Sequence, residues 1–147
     1  MGNKGQIIWQ RDIPIERHVG LTRCIFARVD NTNLLDVCAR FGLLAAQNGL
    51  HEVGIAKAQM VLETLLAKDM AYDLEIMPAE RARGLACNFT ETHASADIRF
   101  FSNGDWPARA GTSAPFSSTS LTNATFDGGV IAVGGDFVSC IWFEDED

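Results

Sequence analysis

The sequence has few of the residues that build the common metal and catalytic sites of proteins. It contains three histidines and four cysteines, with no Cys-x-x-Cys pair and no histidine spaced with a second ligand as zinc sites require. It also lacks a phosphate-binding loop ending in Gly-Lys-Ser/Thr and the Gly-x-Ser-x-Gly turn of many hydrolases. We therefore predict no metal site and no cofactor, and these absences favour a protein that is not an enzyme.

Long apolar runs and export signals are absent as well. No segment approaches the roughly 20 consecutive apolar residues of a membrane-spanning helix. The polar first residues are not followed by the apolar core of a signal peptide, so we expect a soluble cytoplasmic protein that does not bind membranes. Thiols stay reduced in that compartment, and we predict that Cys24, Cys38, Cys87 and Cys140 are free.

Positive charge is scarce in the second half of the chain. Residues 1–73 carry 8 basic and 8 acidic groups, whereas residues 74–147 carry 4 basic and 11 acidic groups, so the net charge of −7 belongs to the second half. The last four residues are all acidic: Glu144, Asp145, Glu146 and Asp147. Such a cluster repels duplex nucleic acid and attracts a basic protein surface. We predict that these four residues bind a partner and contribute little to folding.

The patterns that are present predict one α+β domain over residues 1–147. It begins with two strands, continues with an antiparallel helix pair and ends in an antiparallel sheet with a C-terminal β-hairpin. The predicted elements are strands at 6–10 and 21–29, helices from about 34 to Asn48-Gly49 and over 51–69, a strand at 72–77, a helical turn at 79–83, one or two strands within 85–101, and a hairpin at 129–143.

The last strand of the hairpin is apolar on both faces. Val138, Cys140 and Trp142 alternate with Ile141 and Phe143. A strand with two apolar faces is covered twice, so we expect it in the middle of the sheet. Helix 51–69 is also apolar over more than half of its circumference, and together these features favour a homodimer or larger oligomer.

Residues 102–128 are the least regular part of the sequence. Eighteen of these 27 residues are Ser, Thr, Gly, Pro, Asn or Asp, and so long a loop in a small domain is usually functional or disordered. Aromatic rings stack on bases, and arginine pairs with phosphate or carboxylate, although the rings can instead pin the loop to the core. The predicted binding residues for a small anionic, nucleotide-like ligand are Trp106, Arg109 and Phe116 in the loop, with Arg23 and Arg28 in the second strand.

Five polar residues alternate along a predicted strand and would share one face. They are Glu91, His93, Ser95, Asp97 and Arg99. Ser, His and Asp together suggest a hydrolase. However, successive residues on one face stand about 6.6 Å apart, whereas a catalytic triad needs contacts of about 2.6–3.2 Å. The alternation of polar residues is explained equally well if they lie on the solvent-exposed face of an antiparallel strand.

Three functions are open at this point. The first is a non-enzymatic protein that neutralises a partner macromolecule through its acidic C-terminal surface, as a toxin-immunity or anti-defence inhibitor does. The second is a protein that sequesters a nucleotide-like signal molecule with the 102–128 loop. The third is a small hydrolase or phosphodiesterase that uses His93. The acidic charge and the lack of catalytic motifs favour the first.

Overall fold

The computed structural model of the protein shows an α+β fold. It describes residues 6–8, 21–28, 38–39, 42–43, 49–70, 74–92, 98–104, 119–134 and 137–146. The strands are β1 (Gln6–Ile8), β2 (Leu21–Arg28), β3 (His51–Val53), β4 (Arg99–Ser102), β5 (Phe126–Val133) and β6 (Phe137–Asp145). The helices are α1 (Ile55–Ala67) and α2 (Ala79–Thr92).

The six described strands form one antiparallel sheet in the order β1-β2-β6-β5-β4-β3. The last two strands make the predicted hairpin, in which Phe126 faces Asp145 and Val133 faces Val138. Strand β6 lies between β2 and β5, so the predicted central position of the last strand is confirmed. The edge strands β1 and β3 have three residues each, and such short edges limit unwanted pairing with other chains.

Both faces at the centre of the sheet are buried within this one chain. On the first, which we call the helix face, Phe100, Val130, Ala132, Ile141 and Phe143 belong to one core cluster with buried residues of α1 and α2. On the other, which we call the second face, Phe101, Ile131, Val138, Cys140 and Trp142 pack with Cys38, Leu43 and Leu121. Burial of a side chain such as Phe143 contributes about 1.5–3 kcal/mol to folding. The doubly apolar strand therefore needs no second subunit to cover it, and oligomerisation stays a prediction.

Helix α1 matches the predicted second helix but begins later. Gly54 is its N-cap, and the Gly54 carbonyl accepts a hydrogen bond from the backbone N–H of Ala58 at 2.9 Å. The buried apolar residues recur at the spacing of a helix that packs on one surface: Ala58, Val61, Leu62, Leu65 and Leu66. Residues 51–53 belong to β3 instead, because their backbone pairs with β4.

The prediction of strands within residues 85–101 is wrong for residues 85–92, because these residues belong to helix α2. The segment 79–83, predicted as one turn, begins a helix of 14 residues, and the Pro78 carbonyl accepts the first bond from the N–H of Ala82 at 3.0 Å. Ala82, Ala86 and Phe89 are buried on one face of this helix. The Cys, Phe and Thr residues of this segment favour a strand only weakly, and burial of that face outweighs the preference.

The helices that pack together among the described residues are α1 and α2, and Cys38 and Leu43 from the segment predicted as the first helix pack on the second face. The two helices run antiparallel, because Gln59 of α1 contacts Cys87 of α2 and Glu63 of α1 contacts Arg83 of α2. Neither α1 nor α2 is long and apolar enough to cross a membrane.

The first predicted helix ends before Asn48-Gly49. Gly42 has a φ of 74°, a left-handed conformation that glycine adopts easily. Its N–H donates to the carbonyl of Ala39 at 3.1 Å, and the N–H of Leu43 donates to the carbonyl of Cys38 at 2.8 Å. This pair of bonds is the usual glycine-based end of a helix.

The strand predicted at 72–77 is also not formed by the described residues. There, Glu75 makes an isolated bridge to Lys68, and the N–H of Ile76 donates to the carbonyl of Ala67 at 2.8 Å. Residues 74–77, whose apolar side chains alternate in the sequence, form part of the connection between α1 and α2.

Candidate functional site

The register of the sheet brings two separately predicted sites to one place. Phe126 at the N-terminal end of β5 pairs with Asp145 at the C-terminal end of β6. The C-terminal end of β4 points the same way, although Ser102 ends four residues short of Phe126, beside Val130 and Gly129. We call this the loop end of the sheet, because the chain leaves β4 and enters β5 there. The opposite end, which we call the turn end, is where Arg99 faces Val133. The borders of the 102–128 loop and the acidic C-terminus are therefore neighbours.

A buried asparagine closes the base of the loop. Asn103 is completely buried, and its Nδ2 donates to the carbonyl of Thr119 at 3.0 Å, to the carbonyl of Asp127 at 3.0 Å and to Asp127 Oδ1 at 3.1 Å. The N–H of Thr119 donates back to the carbonyl of Asn103 at 2.9 Å. The hydroxyl of Ser102 donates to the carbonyl of Gly129 at 2.7 Å. These bonds fix Asn103 and Thr119, described residues on either side of segment 105–118, against the sheet.

Asp127 accepts hydrogen bonds from both sides of the loop, from Asn103 and from Leu121. Its side chain is buried, and Oδ2 accepts a hydrogen bond from the N–H of Leu121 at 2.9 Å. Burial raises the pKa of Asp127, whereas hydrogen bonds from Thr122 and Leu121 oppose the rise and the nearby Glu144 adds to it. Glu144 lies directly opposite on β6, so two acidic residues share one face of the sheet. Like charges in that arrangement destabilise a sheet unless something compensates them.

Trp142 forms the floor of the loop end on the second face. It stands opposite Gly129, where a Cβ atom would lie 2.8 Å from ring atom Cε3, so the absent side chain allows the close approach. Trp142 Nε1 and Asn103 Oδ1 are both buried without a hydrogen-bond partner among the described residues. Buried polar atoms are nearly always paired in folded proteins. The two atoms are thus candidate contacts for a ligand that carries polar groups.

The acidic C-terminus belongs to the fold, contrary to the expectation that it adds little to folding. Strand β6 continues through Glu144 and Asp145. Asp145 is 2% exposed, and its Oδ2 accepts a hydrogen bond from the N–H of Met70 at 2.9 Å. Glu146 is exposed, and its carboxylate accepts bonds from the N–H and hydroxyl of Thr125. Glu144 is half-buried, and Asp147 lies outside the described residues.

The residues predicted to bind a small anionic ligand are only partly placed. Trp106, Arg109 and Phe116 lie outside the described residues. Arg23 and Arg28 have described backbone positions in β2, where Arg23 faces Trp142 and Arg28 faces Phe137. The register puts Arg23 towards the loop end and Arg28 at the turn end, so the two arginines do not form one site.

The predicted polar row does not lie on one strand. Glu91 belongs to α2 and Arg99 opens β4, while His93, Ser95 and Asp97 lie outside the described residues. The argument that the five side chains share a strand face is therefore wrong. A catalytic role for His93 stays a prediction, because this residue lies outside the described residues.

Arg99 has a structural role at the turn end. Its Nη2 donates to Glu52 Oε1 at 2.7 Å, and its guanidinium lies 5.2 Å from the centre of the Phe101 ring. The hydrogen bond between them lowers the pKa of Glu52 and raises that of Arg99. Both side chains are exposed, and exposed ion pairs contribute little to stability.

Within the described ranges, no group of three or more His, Cys, Asp or Glu side chains is placed to hold a metal ion. Cys38, Cys87 and Cys140 are not in disulfide bonds, in agreement with the prediction for these three residues. Burial raises the pKa of Cys38 to about 11, so this thiol is protonated at neutral pH. Cys87 accepts a hydrogen bond from Gln59 Nε2 at 3.0 Å between the helices. These environments suit packing rather than thiol chemistry.

Comparison of the chain with protein-family models, with curated protein sequences and with solved structures finds no match. The function must therefore be inferred from the chemistry of the loop end.

The sequence patterns missed Asn103 and Asp127, the two residues that organise this end. Asp127 carries a signal that could have been used, because it starts an apolar strand just before Gly128 and Gly129. A carboxylate on the buried face of such a strand must be hydrogen-bonded. Its partner Asn103 is 24 residues away, and only the antiparallel register reveals the pair.

Proposed function

We propose that this protein is a non-enzymatic binding protein that neutralises a basic-surfaced macromolecule, as inhibitors of the toxin-immunity or anti-defence type do. The contact surface is the loop end of the sheet. One observation carries the proposal: the acidic C-terminus is held in place there, with Glu144 in β6 and Glu146 bonded to Thr125. Charges fixed by the fold favour binding, because little side-chain conformational entropy is lost on association.

The charge of the loop end supports a basic partner over an anionic ligand. Asp127, Glu144 and Glu146 lie at this end and outnumber Arg23, whose backbone lies towards the same end, so together these charges repel an anion. Sequestration of a nucleotide-like molecule would depend on Arg109 instead. Arg109→Ala separates the two functions: it abolishes calorimetric binding of a nucleotide if the ligand is anionic, and it leaves binding of a basic peptide unweakened if the partner is basic.

The proposal is tested with an octa-arginine peptide as a basic probe. Electrostatic attraction acts mainly on the association rate, so this rate should fall when salt rises from about 50 to about 300 mM. The double variant Glu144→Gln/Glu146→Gln should lower the association rate about fivefold at low salt. The matched control Glu80→Gln/Glu91→Gln removes two exposed acids of α2 and should have a much smaller effect. Equal losses in both variants, or a rate independent of salt, would contradict the proposal.

A further inference from the structure

Two large apolar side chains of the described residues are exposed to solvent, and they lie at opposite ends of the sheet. Leu74 is 61% exposed, and Ile55 is 47% exposed. Ile55 begins α1 soon after β3, whose Val53 pairs with Phe100 near the turn end. Leu74 lies in the connection between α1 and α2. A single exposed apolar residue is common in proteins, so its surroundings decide whether it has a role.

Hydrogen bonds hold Leu74 at the loop end. Its N–H donates to Asp69 Oδ1 at 2.7 Å, and its carbonyl accepts from the N–H of Asp69 at 3.1 Å. The next residue, Met70, donates its N–H to Asp145 Oδ2 at 2.9 Å. Asp69, Met70 and Asp145 are all buried. The backbone of Leu74 is therefore fixed close to the end of β6, and its side chain is presented to solvent from a defined position.

The charge around Leu74 is mainly acidic. Glu75 follows it in the sequence and is exposed, and Glu146, directly after Asp145, is exposed as well. Lys68, which is half-buried, makes an isolated backbone bridge to Glu75. The acids outnumber this lysine. An apolar side chain bordered by acids is complementary to a surface that presents an apolar side chain among basic ones.

We propose that Leu74 is a contact residue that determines specificity at the loop end. The basic partner binds through an amphipathic segment, with an apolar side chain against Leu74 and basic side chains beside Glu75 and Glu146. This inference rests on the proposed function and adds an apolar requirement to it. Electrostatic attraction brings any basic surface to the loop end, whereas contact with Leu74 selects among basic surfaces and slows dissociation.

The inference is tested by calorimetry with two amphipathic helical peptides that carry the same lysines, one with leucine and one with alanine on the apolar face. The wild type should bind the leucine–lysine peptide about tenfold more tightly than the alanine–lysine peptide. Leu74→Ala should weaken binding of the leucine–lysine peptide about fivefold and of the alanine–lysine peptide less than about twofold. The matched control Ile55→Ala truncates the exposed apolar side chain at the turn end and should leave both affinities unchanged.

A second measurement uses the wild type alone, so it does not depend on how a variant folds. In the ¹⁵N-labelled protein, the amide signals of Leu74 and Glu75 should move when the leucine–lysine peptide is added, while that of Ile55 should stay in place. Unmoved signals of Leu74 and Glu75 at saturating peptide would overturn the inference.

Failure of this inference differs from failure of the proposed function. If Ile55→Ala costs as much affinity as Leu74→Ala, or if the two peptides bind the wild type equally, the assignment of an apolar contact to Leu74 is wrong. Salt-dependent binding of the alanine–lysine peptide would then still support a basic partner. If the wild type binds neither peptide, both proposals fall.

Discussion

The loop end and the turn end of the sheet use the same strands but hold different chemistry. At the turn end, Val133 faces Val138, and the ion pair of Arg99 and Glu52 is exposed to solvent. The loop end buries five polar side chains: Ser102, Asn103, Thr122, Asp127 and Asp145. Burying polar groups costs free energy unless they are hydrogen-bonded, and here they bond to one another and to the backbone. The difference shows that hydrogen bonds between buried polar groups hold chain segments in defined positions at the loop end.

The largest effect is expected where the loop end is most tightly packed. Gly129→Ala places a Cβ against the carbonyl of Ile141 and 2.8 Å from the Trp142 ring, so strand β6 must shift. The free energy of unfolding should fall by about 3 kcal/mol, measured by chemical denaturation. Gly84→Ala is the control, because its Cβ meets no atom within 4 Å on α2, and it should raise stability by about 0.5–1 kcal/mol. Equal effects of the two variants would contradict the tight contact.

Removal of the Asp127 carboxylate tests the hydrogen-bonded base of the loop. Asp127→Ala leaves the N–H of Leu121 and one contact of Asn103 Nδ2 without an acceptor. Buried donors without partners cost about 1–3 kcal/mol, and we expect a loss in this range by thermal or chemical unfolding. Unchanged stability would show that the loop end does not depend on this carboxylate.

The acidic C-terminus provides the next test. Composition predicts that residues 144–147 contribute little to folding, whereas the structure predicts that Asp145 contributes to it. Asp145→Ala leaves the buried N–H of Met70 without its acceptor and should lower the free energy of unfolding by about 1–2 kcal/mol. Glu146→Ala, at an exposed position, is the matched control and should cost less. A melting temperature of Asp145→Ala equal to that of the wild type would support the prediction that the acidic C-terminal residues contribute little to folding.

Asp127, at the loop end, is expected to have a smaller effect on how the free energy of unfolding depends on pH. Burial is the main cause that raises the pKa of Asp127 above its ordinary value of 3.8, so the folded protein binds this proton more tightly than the unfolded chain does. The resulting stabilisation is complete below that ordinary value and is lost as the pH rises through the folded pKa. The stability of the wild type relative to Asp127→Asn should therefore decrease between about pH 3 and pH 7. An increase over this range would contradict the raised pKa.

The smallest effect is expected at the turn end. Glu52→Gln removes the charge that pairs with Arg99, but both side chains are exposed to solvent. We expect the melting temperature to stay within the error of a calorimetric scan, since exposed ion pairs contribute little. A loss as large as that of Asp127→Ala would remove the contrast between the two ends.

Sequence patterns predicted the sheet better than the helices. The hairpin of β5 and β6 was predictable because a strand buried on both faces has a continuous apolar signal, as in Val138 to Phe143. Helix α2 was missed because its buried face is made of small residues, Ala82 and Ala86, whose helical spacing is a weak signal. Tertiary packing against α1 decides its conformation, and local preference does not contain that information.

The candidate site was predictable only in outline. The acidic C-terminus and the 102–128 loop stand out in the sequence as separate features, and their proximity depends on the register in which Phe126 faces Asp145. The pairing of Asn103 with Asp127 and the burial of Asp145 are likewise tertiary contacts. For this reason composition assigned Asp145 to a binding tail, whereas the structure assigns it to the fold.

The central claim is that the loop end, and not the turn end, is the recognition surface for a basic partner. The most direct measurement is a titration of the ¹⁵N-labelled protein with the octa-arginine peptide, followed by two-dimensional amide spectra. The amide signals of Asn103, Thr125, Glu144 and Glu146 should move with increasing peptide, while those of Glu52, Glu91 and Arg99 should stay in place. Movement concentrated at Glu52, Glu91 and Arg99, or no movement at the loop end at saturating peptide, would contradict the central claim.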